Sequence, residues 1–248
     1  MLASFTVGFG FFGLSVFGTL YLQYVLGWSP TSAGLAMLPA TIFAAFTAVV
    51  AGRVCARFGP RLPLAAGLVL LAAGMAGFTF SGADANYAQF GWLMPILGIG
   101  LGLTTAPTSI AVMGTVASAQ TGMASAVLNM LREVSGAAGI AVMGAVLTTR
   151  FGVTLRDELP TTSPQDAEAL QHSVTAGGGM GLGHTTGIPA AIEHGIDNSF
   201  VAGLHLALWV GATALLSAAV LVLLRMKKPH QDIGSASAPD ADAQGISR

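Results

Sequence analysis

A charged pair, Arg132-Glu133, stands inside an otherwise apolar run from about Gly122 to Thr149. At about 100° per residue, Ser125, Asn129, Arg132, Gly136, Gly139 and Met143 share one helical face, and Val127, Met130, Val134 and Ala141 the opposite one. The polar and small face is expected to look into a bundle and the other into lipid. Neighbouring residues on a helix diverge, so Arg132 and Glu133 are poorly placed to pair, whereas Asn129 lies one turn earlier and can reach either. A charge at mid-membrane costs roughly 2.5–3.5 kcal/mol on insertion scales. That cost leaves two readings. Either Asn129, Arg132 and Glu133 line a gate, cavity or proton path, or Arg132 lies near the cytoplasmic edge and snorkels with Glu133 beside it. His205, in the last apolar run, is a candidate for the same proton path or a satisfied buried or interfacial histidine.

Other chemistry-bearing patterns fail on context. Gly8, Gly10 and Gly13 match the dinucleotide fingerprint by letter, yet only seven residues precede them and no strand–turn–helix fits, so they read as helix-packing positions. The tract Gly177-Gly178-Gly179-Met180-Gly181-Leu182-Gly183 lacks the Lys-Ser/Thr of a phosphate loop. His172, His184 and His194 lack i,i+3 or i,i+4 spacing and are separated by flexible glycine, so no metal site is expected. A lone cysteine, Cys55, excludes an intrachain disulfide and reads as an inert loop thiol. No Ser/His pair, paired Asp or HExxH falls within the apolar runs, so no enzyme and no cofactor is expected.

The elements that position these residues follow from composition. The chain is 53% hydrophobic and 8% charged, with net charge −1, where an ordinary globular domain is roughly 25% charged. It cannot cover a water-facing surface, so its main solvent is lipid, and nothing in its charge suits nucleic acid. Apolar runs of about 20 residues, rising 1.5 Å each, cross a ~30 Å hydrocarbon core. Six such runs define an all-α integral membrane fold, a six-transmembrane-helix bundle over residues 1–228. The spans are about 2–24, 33–51, 62–80, 91–113, 122–149 and 200–224. Tyr21, Gln23, Tyr24 and Trp28 are expected as interfacial anchors, and Pro39 as a kink. Gly98 and Gly102 form a GxxxG pair for close packing. Thr104, Thr105, Pro107, Thr108 and Ser109 either join that packing or line a cavity. Residues 150–199 form a water-exposed loop, in which Ser163-Pro164-Gln165-Asp166 predicts a short helix to about Val174. Asp197-Asn198-Ser199 would cap the last span, and 229–248 reads as a disordered tail.

Orientation comes from charge. Nothing ionisable as Asp, Glu, Lys or Arg precedes Arg53; Arg53, Arg57 and Arg61 then arrive together, and Asp84 is the only charged side chain from Leu62 to Leu131. A basic turn between apolar runs belongs on the cytoplasmic side. Six spans put Arg53, Arg57, Arg61, Arg225, Lys227 and Lys228 on that side against Arg150 and Arg156 on the other. Both termini are therefore expected in the cytoplasm and the long loop outside.

Several stretches occur together in order: Ala33-Gly34-Leu35 with Leu38-Pro39, then Gly52-Arg53 to Arg57-Phe58-Gly59-Pro60-Arg61, then Gly98-Ile99-Gly100-Leu101-Gly102. Gly122-Met123-Ala124-Ser125 through Asn129 to Arg132-Glu133 follows, with Gly136-Ala137-Ala138-Gly139 behind it. In these the chain resembles the major facilitator superfamily and, more narrowly, the C-terminal half of its fourteen-span drug:proton antiporters, from Met1 to about Lys228. The resemblance implies one half of a major facilitator fold in the cell (inner or plasma) membrane. It implies proton-coupled efflux of amphipathic drugs or other small organic compounds, with lipid bilayer, small-molecule substrate and proton as partners. A missing or separate N-terminal half is also implied, since the family's first half has no counterpart here. By the same resemblance, Gly52 and Gly59 would permit close backbone approach in a gating turn, and Arg53, Arg57 and Arg61 would face helix C-termini or lipid phosphates. The family's acid before the middle arginine is Ala56 here, which shifts weight from an internal charge relay to an orienting role. The alternative is a non-transporting membrane remnant or a helix-docking subunit of a larger complex.

Overall fold

The computed structural model describes residues 2–80, 82, 86–114, 116–158 and 190–225. Helix α1 spans Leu2–Leu20 and runs into a π-helical turn, Tyr21–Val25; α2 is Pro30–Phe58, α3 Arg61–Phe78, and α4 a single turn, Tyr87–Phe90. α5 is Leu93–Met113; after a 3-10 turn at Ser118–Gln120 come α6, Thr121–Glu158, and α7, Ala190–Arg225. No strand occurs among the described residues. All but α4 are long and apolar enough to cross a bilayer. Over the described residues the chain is an all-α, multi-pass membrane bundle of six long helices.

The ends of α2 show why the helix is longer than its apolar run. At its start the Ser29 hydroxyl accepts from the Ser32 N–H at 3.2 Å, with Pro30 in the first helical position. At its end Gly59 adopts φ 77°, a conformation that disfavours a Cβ, and its N–H donates to the Cys55 carbonyl at 2.8 Å. Arginines do not stop a helix, so Gly52, Arg53, Cys55 and Arg57 are helical. Only Gly59-Pro60 forms the turn, and Cys55 is a buried helical thiol rather than a loop one.

Lipid offers no hydrophobic drive to bring helices together, so small residues that admit close van der Waals contact set the packing. Along α2, Ala33, Ala36, Ala40, Ala44, Thr47, Ala51 and Cys55 recur at helical spacing, and this stripe lies on α5. A Cβ at Gly98 would fall on the Ala40 carbonyl; one at Gly102 would lie 2.6 Å from the Ala44 carbonyl oxygen. Gly100, between them, faces the other way, where its added Cβ would meet the Leu71 backbone nitrogen at 2.9 Å. Alternate glycines thus let α5 sit between α2 and α3. The Thr/Pro end of α5 is packing as well. Thr104 and Thr108 are buried, and the hydroxyls of Thr104, Thr105, Thr108 and Ser109 donate to carbonyls of their own helix. Pro107, which cannot supply an N–H, is buried inside the same helix.

Gly8, Gly10 and Gly13 serve the same end in α1. Gly8 abuts Ser135 and the Arg132 carbonyl, Gly13 abuts Met143, and Gly10 faces Leu215 of α7. From the α6 side, Gly139 lies against the Phe9 backbone and Gly136 against the Phe12 ring. The expected interfacial aromatics are instead partly core. Tyr21 is fully buried, its ring edge-on to Phe78 and Phe90 at 5.6 and 6.2 Å, and its hydroxyl donates to the Gly82 carbonyl at 2.6 Å. Trp28 and Tyr87 complete an aromatic plug at that end of the bundle.

Helices α6 and α7 both extend into the stretch expected as loop. α6 continues past Thr149 to Glu158, and Phe151 is buried in the same apolar cluster as Ile196 and Phe200 of α7. Asp197, Asn198 and Ser199 are consequently inside α7 and do not cap it; the Ser199 hydroxyl donates to the Gly195 carbonyl. The short helix expected over 163–174, with His172 and His184, and the tail 229–248 lie outside the described residues.

Candidate functional site

Two clusters of candidate residues fall in different parts of the bundle. The first surrounds the α2–α3 turn. Arg53 and Arg57, one helical turn apart, are exposed on the last turns of α2, and the Arg57 guanidinium lies 5.6 Å from the centre of the Phe58 ring. Arg61 begins α3 and donates to the backbone carbonyl of Leu223, in the last turn of α7. That carbonyl is one of those a helix leaves without an internal partner, and a cation at a helix C-terminus is favoured by the dipole. The Arg61 Nε is buried without a partner of its own. Gly59 is needed for its positive φ. Gly52 has open space around it: a Cβ there would meet nothing within 4 Å.

The second cluster lies on α6, whose buried stripe is Ala124, Leu128, Ser135, Gly136, Gly139, Met143 and Leu147. Gly136, Gly139 and Met143 point inward as their spacing implied. Asn129 does not: it is exposed, about 100° around the helix from Leu128. Arg132 is half-buried and Glu133 exposed, and among the described residues no side-chain hydrogen bond or ion pair holds either. Val127, Met130, Val134 and Ala141 are exposed as expected. His205 is half-buried on α7, about four turns from Ala190 because that helix starts early.

These exposed charges belong to a larger feature. Only 17% of the α2 span and 28% of the α6 span is buried within the bundle, against 39–56% for the other four. α2 packs chiefly on α5 and α6 chiefly on α1 and α7, so each turns a broad face outward. On α2 that face is largely apolar, with Leu35, Ile42, Phe46 and Val49 each at least 60% exposed. On α6 it carries Asn129 and Glu133 among valines and methionines.

Between α1, α2 and α5, with Phe78 of α3 also in its wall, is a cavity of about 200 Å³. Carbon and sulfur line nearly all of it; among the described residues Ser15 and Thr41 contribute the only hydroxyls, and no acid or base reaches it. No sequence pattern announced this site, because its walls are ordinary apolar residues of three separate helices. Ala40, Ala44 and Gly98 stand in its wall but also make the α2–α5 contact, so they gave no separate sign of it.

Comparison with known proteins agrees with this architecture. Residues 1–140 match the family model described as Major Facilitator Superfamily. The chain is 32% identical to the tetracenomycin C resistance and export protein of Streptomyces glaucescens, over 91% of this chain and 43% of that protein. It is 31% identical to the drug efflux pump JefA of Mycobacterium tuberculosis, over 89% of this chain and 46% of the relative. With the multidrug resistance protein Stp of the same organism it shares 29% identity, over 87% and 41%. The chain thus spans less than half the length of each of these relatives. With the family model matched over more than half of its residues, and six long apolar helices packed through small-residue seams, the chain belongs to the major facilitator superfamily, a family of membrane transporters rather than enzymes.

Proposed function

We propose that this chain is the C-terminal half of a proton-coupled transporter that exports amphipathic drugs or other small organic compounds across the plasma membrane. The observation that carries the reading is the uncovered side of α6 with unpaired charges in it. Arg132 and Glu133 have no partner among the described residues and sit within a membrane span, where exposure of a charge to hydrocarbon costs roughly 2.5–3.5 kcal/mol. A second set of helices or a water-filled cavity against that face removes the cost. Transporters of this kind place their substrate sites near the midplane between two such halves. The names of the relatives, which concern export and drug resistance, favour efflux.

In this reading Asn129, Arg132 and Glu133 border the path between the halves, and His205 lies on the proton route. Gly52, Arg53, Arg57, Gly59 and Arg61 form the cytoplasmic gating motif. Arg61 ties the turn to the end of α7, and Arg53 and Arg57 are free to meet lipid phosphates. Both termini are cytoplasmic.

Drug accumulation in a pump-deficient host tests this. The chain is expressed alone and with the amino-terminal portion of the Streptomyces glaucescens relative. The expected result is a fall in accumulation with both polypeptides, reversed by a protonophore. Unchanged accumulation, with both present and folded in the membrane, would replace transport with the alternative of a helix-docking subunit or remnant.

A further inference from the structure

We propose that the cavity between α1, α2 and α5 is a binding subsite for the uncharged ring portion of a small molecule that carries a hydrogen-bonding oxygen. That the bound molecule is cargo rests on the transport reading above; that the site binds it does not.

Size comes first. An apolar cavity of about 150 Å³ takes up benzene, so one of about 200 Å³ accepts one ring with substituents or a compact pair of rings. Access is provided at Thr41, which lines the cavity and is exposed on the outer side of α2.

Charge comes next. Among the described residues no ionisable side chain lines the space, so a cation placed there would lose its hydration without gaining a counter-ion. Such a wall selects neutral groups. Met37 and Met94 add two flexible, polarizable side chains, which adapt to rings of different outline.

The polar handle is Ser15. Among the described residues no hydrogen bond engages its hydroxyl, although its carbonyl accepts from Thr19 at 2.7 Å. The Thr41 hydroxyl, by contrast, is already turned back to the Met37 carbonyl at 3.4 Å. Ser15 therefore offers one donor and one acceptor into an otherwise apolar space, and a ketone, ether or hydroxyl on the ligand satisfies it.

Benzophenone is a suitable probe: neutral, two-ringed, with one carbonyl, and able to insert photochemically into nearby C–H bonds. The whole chain in lipid nanodiscs is irradiated with it and the labelled peptides are mapped. Label is expected on Met37 or Met94, displaced by neutral fluorenone and not by tetraphenylphosphonium. Thr41→Phe, which fills the mouth, should abolish it. Ser15→Ala should raise the half-saturating concentration about two- to tenfold, the usual worth of one hydrogen bond, and Ser15→Thr should restore it. Label spread evenly over outward residues such as Phe46 and Val49, and indifferent to Thr41→Phe and Ser15→Ala, would overturn the proposal and assign the space to lipid chains. Equal displacement by the phosphonium cation would overturn its selectivity for neutral groups. Specific labelling without any change in drug accumulation would remove the transport reading and leave the site; efflux without labelling at Met37 or Met94 would do the reverse.

Discussion

The guanidinium of Arg61 donates to the backbone carbonyl of Leu223, joining the first residue of α3 to the last turn of α7. These positions are distant in sequence, and the bond ties the α2–α3 turn to the end of α7. Arg61→Ala removes both the donor and the favourable charge at the helix end. A loss of about 1–3 kcal/mol is expected, with faster hydrogen exchange confined to the final turn of α7. Arg61→Lys should retain part of it, because a point charge still complements the dipole. An unchanged unfolding midpoint and unchanged exchange in Arg61→Ala would show that the contact does not hold this end together.

Gly98 and Gly52 make a paired test of which glycines serve packing. A methyl at Gly98 would collide with the Ala40 carbonyl, a backbone atom that cannot rotate away, so α5 must move off α2. Gly98→Ala is expected to destabilise by about 1–3 kcal/mol. Gly52→Ala meets nothing and replaces glycine inside a helix, so it should be neutral or stabilising by up to about 1 kcal/mol. Thermal unfolding in one detergent checks both. Lost efflux in an assembled transporter carrying a stable Gly52→Ala would mean that another conformation brings backbone close to Gly52.

Arg132 and Glu133 separate folding from transport. Neither has a side-chain partner among the described residues, so Arg132→Ala and Glu133→Gln should change the stability of the isolated chain by no more than about 0.5 kcal/mol. In an assembled transporter each should reduce efflux strongly. Efflux assays on the two variants decide the point: full activity in both would exclude these residues from the transport path.

The six membrane helices were legible because a bilayer demands long apolar runs, and nothing else in the chain supplies them. Their ends were less so. Hydropathy stops α2 at Ala51, but the structural stop is Gly59, since Arg53 and Arg57 can continue a helix into the aqueous interface. Its start was signalled by Ser29-Pro30, a cap followed by a first-turn proline, three residues before the expected Ala33. Asp197-Asn198-Ser199 looked like a cap only because polar residues mid-helix resemble a boundary; the buried packing of Ile196 and Ser199 keeps them helical. Arg132 and Glu133 stood out by charge, but the rotation of α6 that exposes Asn129 depends on how Gly136 and Gly139 meet α1. The cavity beside Ser15 had no signature, because apolar residues that line a space and apolar residues that fill one are the same residues.

The proposed transport, gating and cytoplasmic placement of Arg53, Arg57 and Arg61 all depend on the direction in which the chain threads the bilayer. Phe58, 58% exposed beside the α2–α3 turn, and Trp92, 59% exposed at the start of α5, lie at opposite ends of their spans. In a Cys55→Ser background, Phe58→Cys and Trp92→Cys can be tested with a membrane-impermeant maleimide on sealed vesicles of both orientations. Phe58→Cys should react only in inside-out vesicles and Trp92→Cys only in right-side-out ones. The reverse pattern would put the arginines outside the cell and contradict the orientation on which the gating and efflux proposals stand.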